Sequence, residues 1–171
     1  MIELVPLGDI APPAIEALLD GAFGPERHTR TAYRIRTGMI ADPQLSFAAI
    51  DAGDLVGTIQ CWPIALMDDD GLQHALTMVG PVAVRPDRQR DGIGQLLMRH
   101  MLAAADRAAT TPLMLIGDPD YYGRFFGFAA DRTAGWRTPG PVERHRLLAR
   151  GDGVPEIGGM LGPRLAAVAP A

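Results

Sequence analysis

Residues 79–97, Val-Gly-Pro-Val-Ala-Val-Arg-Pro-Asp-Arg-Gln-Arg-Asp-Gly-Ile-Gly-Gln-Leu-Leu, constrain the fold more than any other stretch of the chain. The order is a short apolar strand, a turn carrying Arg85, Arg88 and Arg90, and the first turn of a helix with Gly92 and Gly94 at its start. Glycine lets main-chain N–H groups come close to an anion, and the unpaired N–H groups and positive dipole end of a helix attract one. The stretch therefore reads as a phosphate-holding turn between strand and helix. Two nucleotide motifs of this general kind are absent. A Walker loop requires Gly-Lys-Ser/Thr, and the chain has no lysine; a dinucleotide fingerprint requires a third glycine where Leu97 stands.

The elements around this turn define a mixed α+β fold. Residues 2–7 form a first strand, and Pro12-Pro13 open a helix whose Ile15, Leu18, Leu19 and Phe23 recur at helical spacing up to Gly24-Pro25. A polar and basic stretch from Glu26 to Gly38 predicts a second, partly exposed helix. Runs from Leu45 to Ile50 and from Leu55 to Trp62, joined by Asp-Ala-Gly-Asp, predict a hairpin, and the turn at Asp68-Asp-Asp-Gly71 leads into a long strand from Gln73 to Val84. Pro81 has no N–H for a ladder, so that strand should splay from a neighbour near it. Beyond the turn, Ile93, Leu96, Leu97, Met101 and Ala104 mark one face of a helix to about Ala109, and Leu113 to Ile116 form a parallel strand. Asp118 and Pro119 start a short helix that Gly127 stops. Arg144 to Ala149 has strand character, and Gly158 to Ala171 forms a terminal strand or tail. One domain over 1–171 is expected, with its core over about 2–150 and a tail over 151–171.

Composition narrows the class. A chain of 171 residues with 47% apolar content is long enough for a core, and a net charge of −4 argues against a general nucleic-acid or membrane-surface binder. All 16 basic residues are arginine, a bias of GC-rich bacterial genomes. One cysteine, no long apolar run and no basic, apolar leader point to the cytoplasm. The four histidines lack metal-ligand spacing, Asp68-Asp-Asp70 reads as a charged loop tip, and no metal is expected. Cys61 lies on the more apolar face of its strand and reads as an inert buried thiol rather than an acyl carrier.

Gln89-x-x-Gly92-x-Gly94 between strand and helix, preceded by antiparallel strands and followed by a strand and an aromatic short helix, resembles the GNAT N-acetyltransferase superfamily. Its pyrophosphate motif, Gln/Arg-x-x-Gly-x-Gly/Ala, is matched at every fixed position. The resemblance covers roughly residues 2–128. The flanking Gly-Pro-Val-Ala-Val-x-Pro and Tyr-Tyr-Gly-Arg-Phe-Phe-Gly-Phe are similar to a branch of predicted acetyltransferases with unassigned substrate. It implies a mostly antiparallel central sheet splayed between two parallel strands and flanked by helices.

It also implies acetyl-CoA as acetyl donor and a primary amine, on a small molecule or peptide, as acceptor. Its pyrophosphate would be held by Arg88, Gln89, Arg90, Asp91, Gly92, Ile93, Gly94 and Gln95, with Arg85 as a further charge, and its pantetheine amides by the main chain of Val82, Ala83 and Val84. The family's general acid is commonly a tyrosine of the short helix. Its pattern favours Tyr122, but Tyr122 stands five residues before Gly127 where four is usual, so Tyr121 remains open. Family members often place a glutamate on the bulged strand, and none lies between Gln73 and Val84. Asp118, Asp120, His74, Glu26 or attack by an already neutral amine are the alternatives. A non-catalytic acetyl-CoA sensor is the rival reading, and the sequence leaves room for a homodimer.

Overall fold

The computed structural model describes residues 1–166. In chain order the elements are β1 (Ile2–Pro6), α1 (Pro12–Phe23), α2 (Thr31–Ile35), β2 (Phe47–Asp51), β3 (Asp54–Asp68), β4 (Gln73–Val84), α3 (Ile93–Ala108), β5 (Leu113–Ile116), α4 (Pro119–Phe126), β6 (Trp136–Arg137), β7 (Leu147–Arg150) and β8 (Gly159–Pro163). The strands form one eight-stranded, mostly antiparallel sheet in the order β1-β2-β3-β4-β5-β7, with β8 also on β3 and β6 on β8. The pairs β4–β5 and β6–β8 are parallel. This is the mixed α+β sheet with flanking helices that the sequence predicts.

The chain divides into two compact units. The first comprises Met1–Thr29, Ala41–Trp62 and Val79–Thr110, and the second comprises Arg30–Ile40, Pro63–Met78 and the chain from Thr111 onward. The divisions at Trp62/Pro63 and Met78/Val79 fall inside β3 and β4.

In the first unit, β1, β2 and the first half of β3 pair antiparallel. The two-residue hairpin loop Ala52-Gly53 has positive φ at both positions, the backbone that matches strand twist in such a turn. Helix α1 buries Ile15, Leu18 and Leu19 in a cluster with Leu7, Ala48 and Ala83. Each large aliphatic side chain in it contributes about 1.5–3 kcal/mol. Helix α3 buries Ile93, Leu97, Met98, Met101, Leu102 and Ala105. The expected face is thus rotated: Leu96 is 39% exposed, and Met98 and Leu102 take the core positions.

The stretch from Glu26 to Gly38 is not one helix. It is a 3₁₀ turn, Pro25–Thr29, followed by the five-residue α2. The Arg27 side chain is buried and ion-paired to Glu16 and Asp20 of α1, which fixes the turn to that helix. Ile35 is fully buried, on the covered side of a segment that was expected to be partly exposed.

In the second unit, β3 continues to Asp68, beyond the predicted end at Trp62, because β8 pairs with Ile64–Asp68. Pro63 falls between the end of the β2 ladder at Ile59 and the start of the β8 ladder at Ile64, where its missing N–H costs no ladder bond. The Asp68 carboxylate accepts the N–H groups of Asp70 and Leu72 and contacts the His74 ring at 2.8 Å, so it closes the turn. The strand predicted at Arg144 begins only at Leu147, after a 3₁₀ turn over Arg144–Arg146, and β6 is unpredicted. β8 realises the terminal strand of the tail; residues 167–171, the rest of that expectation, lie outside the described residues. Among the described residues no helix is long and apolar enough to cross a membrane.

Candidate functional site

The phosphate turn lies wholly in the first unit. β4 ends at Val84, the Arg85 N–H is held by the Val56 carbonyl at 2.9 Å, and Pro86–Arg88 make a 3₁₀ turn. Gly92 then takes a left-handed backbone, φ 76°, as N-cap of α3. Among the described residues no side chain caps this end, and the first helical N–H to bond along the helix is that of Leu96, onto the Gly92 carbonyl at 3.1 Å. The N–H groups of Ile93, Gly94 and Gln95 precede it, in the turn where a helix has no internal acceptors to offer.

Both glycines meet open space. A Cβ at Gly92 would have nothing within 4 Å, and one at Gly94 would meet only Val84 and Val82, at 3.8 and 3.9 Å. Packing therefore does not require glycine at 94, and glycine within a helix costs about 0.5–1 kcal/mol relative to alanine. A small residue here instead keeps the N–H groups of the first turn open to an anion. The residues present fit a pyrophosphate.

The arginines divide into different roles. Arg85 makes a two-point contact with Asp87 at 2.7 and 2.8 Å. Arg88 bridges Asp91 within the turn and Asp51 of β2, the latter at 2.9 Å, and so ties the turn to the hairpin. Its hydrogen bond holds the Asp51 carboxyl below its usual range, with the Met1 ammonium adding to the effect. Arg90 is exposed and has no ion pair among the described residues. Gln89 and Asp91 are exposed too, and the Gln95 side chain accepts from Arg99 at 3.4 Å.

Two residues outside the motif place the turn. A Cβ at Gly57 of β3 would stand 2.8 Å from Ile93 and 3.1 Å from Leu97, so glycine there lets α3 seat on the sheet. Asp51 supplies the distant half of the Arg88 bridge. Glycine inside a strand was the available signal for the first; nothing local identifies the second.

On β4, Ala83 is buried, whereas Val82 and Val84 are half-buried. The registered β4–β5 ladder is two pairs long, Thr77↔Leu113 and Met78↔Met114, both before Pro81. Val82–Val84 thus lie outside that ladder. The Trp62 indole N–H donates to the Gly80 carbonyl at 2.7 Å.

The tyrosines belong to the second unit. Asp118 caps α4 by accepting the Asp120 N–H at 3.0 Å, and left-handed Gly127 ends it. The extra residue of Phe125-Phe126 is absorbed within an unbroken helix. Tyr122 is half-buried with its ring against Gly117, and burial pushes its phenol above the usual value, with Arg146 opposing the shift. Tyr121 packs edge-on against Tyr122, with ring centres 4.9 Å apart. Among the alternative bases, Asp118 is occupied as a cap and His74 by Asp68. Cys61 is fully buried, and burial, with Asp42 adding, pushes its thiol far up, so it is no nucleophile at neutral pH.

The acetyltransferase (GNAT) family profile matches residues 13–128. A GNAT family N-acetyltransferase from Escherichia coli, solved in complex with CoA, shares the fold with a TM-score of 0.70 at 21% identity, over 96% of this chain and 89% of that one. A GNAT family acetyltransferase from Brucella melitensis, solved in complex with acetyl-CoA, aligns with a TM-score of 0.62 at 25% identity, over 93% of each chain. No curated protein matches the chain.

Proposed function

The chain belongs to the acetyltransferase (GNAT) family, and on that premise we propose that it transfers the acetyl group of acetyl-CoA to a primary amine of a small molecule or peptide by direct attack. The observation that carries this reading is the start of α3: uncapped by any side chain, with Gly92 left-handed and the space beside Gly94 open. Bound acetyl-CoA supplies an activated thioester, whose acetyl carbon gains the amine nitrogen as the C–S bond breaks and CoA leaves as its thiol.

The chain's own residues divide the remaining work. The N–H groups of Gly92, Ile93, Gly94 and Gln95 hold the pyrophosphate, and Arg90 adds a charge-assisted contact. Arg88, with Asp91, keeps the turn in shape, while Gln89 precedes it and Arg85 stays with Asp87. The main chain of Val82, Ala83 and Val84 meets the pantetheine amides, and an N–H there stabilises the oxyanion. Tyr122, whose raised value keeps it protonated at neutral pH, gives its proton to the leaving sulfur, with Tyr121 as the alternative acid. No carboxylate of β4 serves as base, so the amine arrives neutral or loses its proton to water, and the proton that nitrogen sheds as the amide forms passes through water to restore the phenol.

The protein acts as a single catalytic domain over 1–171 in the cytoplasm of a bacterium. Composition, the lone buried cysteine and the bacterial origin of the structurally similar acetyltransferases support this assignment. A homodimer is compatible with it. The test is release of CoA thiol from acetyl-CoA with a panel of small amines, peptides and aminoglycosides. Release with at least one acceptor is expected. Saturable acetyl-CoA binding without release from any acceptor favours a non-catalytic sensor, the reading to which the missing β4 carboxylate lends weight.

A further inference from the structure

Two polar side chains on one face of β3 are buried without a partner. Thr58 is fully buried and Gln60 is 8% exposed, and neither the Thr58 Oγ1 nor the Gln60 Oε1 has a hydrogen-bond partner among the described residues. Whichever way the Gln60 carboxamide is turned, the atom at the Oε1 position is buried and unsatisfied. Both residues alternate with Gly57, whose face receives Ile93 and Leu97 of α3, so they face away from that helix. Thr58 stands opposite Ala48, which packs in the cluster formed with α1.

Their position along the sheet is bracketed by two contacts. Val56 of β3 accepts the Arg85 N–H, and Trp62 of β3 donates to the Gly80 carbonyl. Thr58 and Gln60 lie between Val56 and Trp62, alongside the stretch from Gly80 through the end of β4 to Arg85. That stretch contains Val82–Val84, assigned above to the acetyl donor. A buried, unpartnered carbonyl and hydroxyl are costly in an apolar sheet face unless something polar meets them. β4 itself carries no carboxylate that would position the amine.

We infer that Gln60, assisted by Thr58, binds the acceptor amine: the carboxamide oxygen accepts an N–H of the amine and turns its lone pair toward the acetyl carbon, and the hydroxyl meets a second polar atom of the same acceptor. A neutral carboxamide takes up no proton, so this is positioning rather than base catalysis. The inference rests on the acetyl-transfer reading.

The test adds ethanolamine, putrescine or glycinamide to the full chain loaded with acetyl-CoA. It follows the Gln60 side-chain carboxamide resonance, assigned by its loss in Gln60→Met, together with thiol release. At least one amine shifts the resonance saturably and releases thiol. Gln60→Met raises the KM for that amine by roughly tenfold or more, and Thr58→Val by roughly threefold, while the Kd for acetyl-CoA stays within about twofold. A resonance that no amine moves overturns the inference. So does a Gln60→Met variant with unchanged amine KM, including one that differs only in melting temperature, which assigns the carboxamide to an internal water. A shifted resonance without thiol release contradicts acetyl transfer and leaves the amine site standing.

Discussion

A Cβ built on Gly117 would lie 2.5 Å from Cε2 of Tyr122, so the tyrosine ring occupies the space that a side chain at position 117 would need. The missing side chain at the end of β5 is what seats the phenol of α4. Gly117→Ala must displace the ring. The expected cost is about 1–3 kcal/mol, typical of overpacking, together with a fall in turnover larger than in acetyl-CoA affinity. Denaturant unfolding and steady-state kinetics of the same variant check both.

Tyr122→Phe removes the proposed acid without disturbing that packing. Turnover should fall roughly a hundredfold, within the range for general acid catalysis, and Tyr121→Phe should fall less. Burial holds the Tyr122 phenol above its ordinary value, so its loss as an acid is displaced to more alkaline pH than that of a free tyrosine. The unmodified enzyme therefore keeps its acid through mildly alkaline conditions, and its alkaline limb disappears in Tyr122→Phe. Equal, full rates for both variants contradict the phenol assignment.

Arg88 and Arg90 should separate cleanly. Arg90→Ala leaves the melting temperature unchanged and weakens acetyl-CoA binding by roughly tenfold at low salt, less as salt rises. Arg88→Ala breaks the bridge to Asp51 and Asp91, and so lowers the melting temperature as well as the affinity. Calorimetry at two salt concentrations with thermal unfolding distinguishes the two patterns.

Asp51→Asn probes the same bridge by pH. The folded carboxyl lies below its ordinary 3.8, so its contribution is complete above that value and is lost as pH falls through the depressed one. Amides of residues 88–92 should exchange roughly two- to fivefold faster than in the unmodified chain at neutral pH. The difference should vanish in acid. Hydrogen exchange read by mass spectrometry gives the comparison.

What was legible in the sequence was local. The turn from Val84 to Gly94 and the start and stop of α4 depend on residues a few positions apart, and they emerged with the predicted glycines and cap in place. What was not legible depends on distant partners. The burial of Arg27 is not legible in its own polar stretch, because Glu16 and Asp20, which pair with it, belong to another helix. β3 ran past Trp62 because β8, about a hundred residues later, supplies the ladder. The face of α3 shifted because Leu96 and Met98 are both apolar, and only the sheet decides which is covered. In the candidate site, the motif glycines were visible, whereas Asp51, Gly57 and Gly117 have meaning only through Arg88, Ile93 and Tyr122.

The central claim is that the first turn of α3 holds the pyrophosphate of acetyl-CoA, and Gly94→Glu tests it most directly. A glutamate at the second helical position suits the helix dipole and meets no packed neighbour closer than Val84 at 3.8 Å from its Cβ, so the fold is retained. The same carboxylate stands where the phosphates would be. Calorimetric titration with acetyl-CoA should show saturable binding to the unmodified chain and a loss of roughly thirtyfold or more in the variant, with the melting temperature maintained or raised. No saturable binding to the unmodified chain at millimolar acetyl-CoA, or equal affinity in the folded variant, would contradict it.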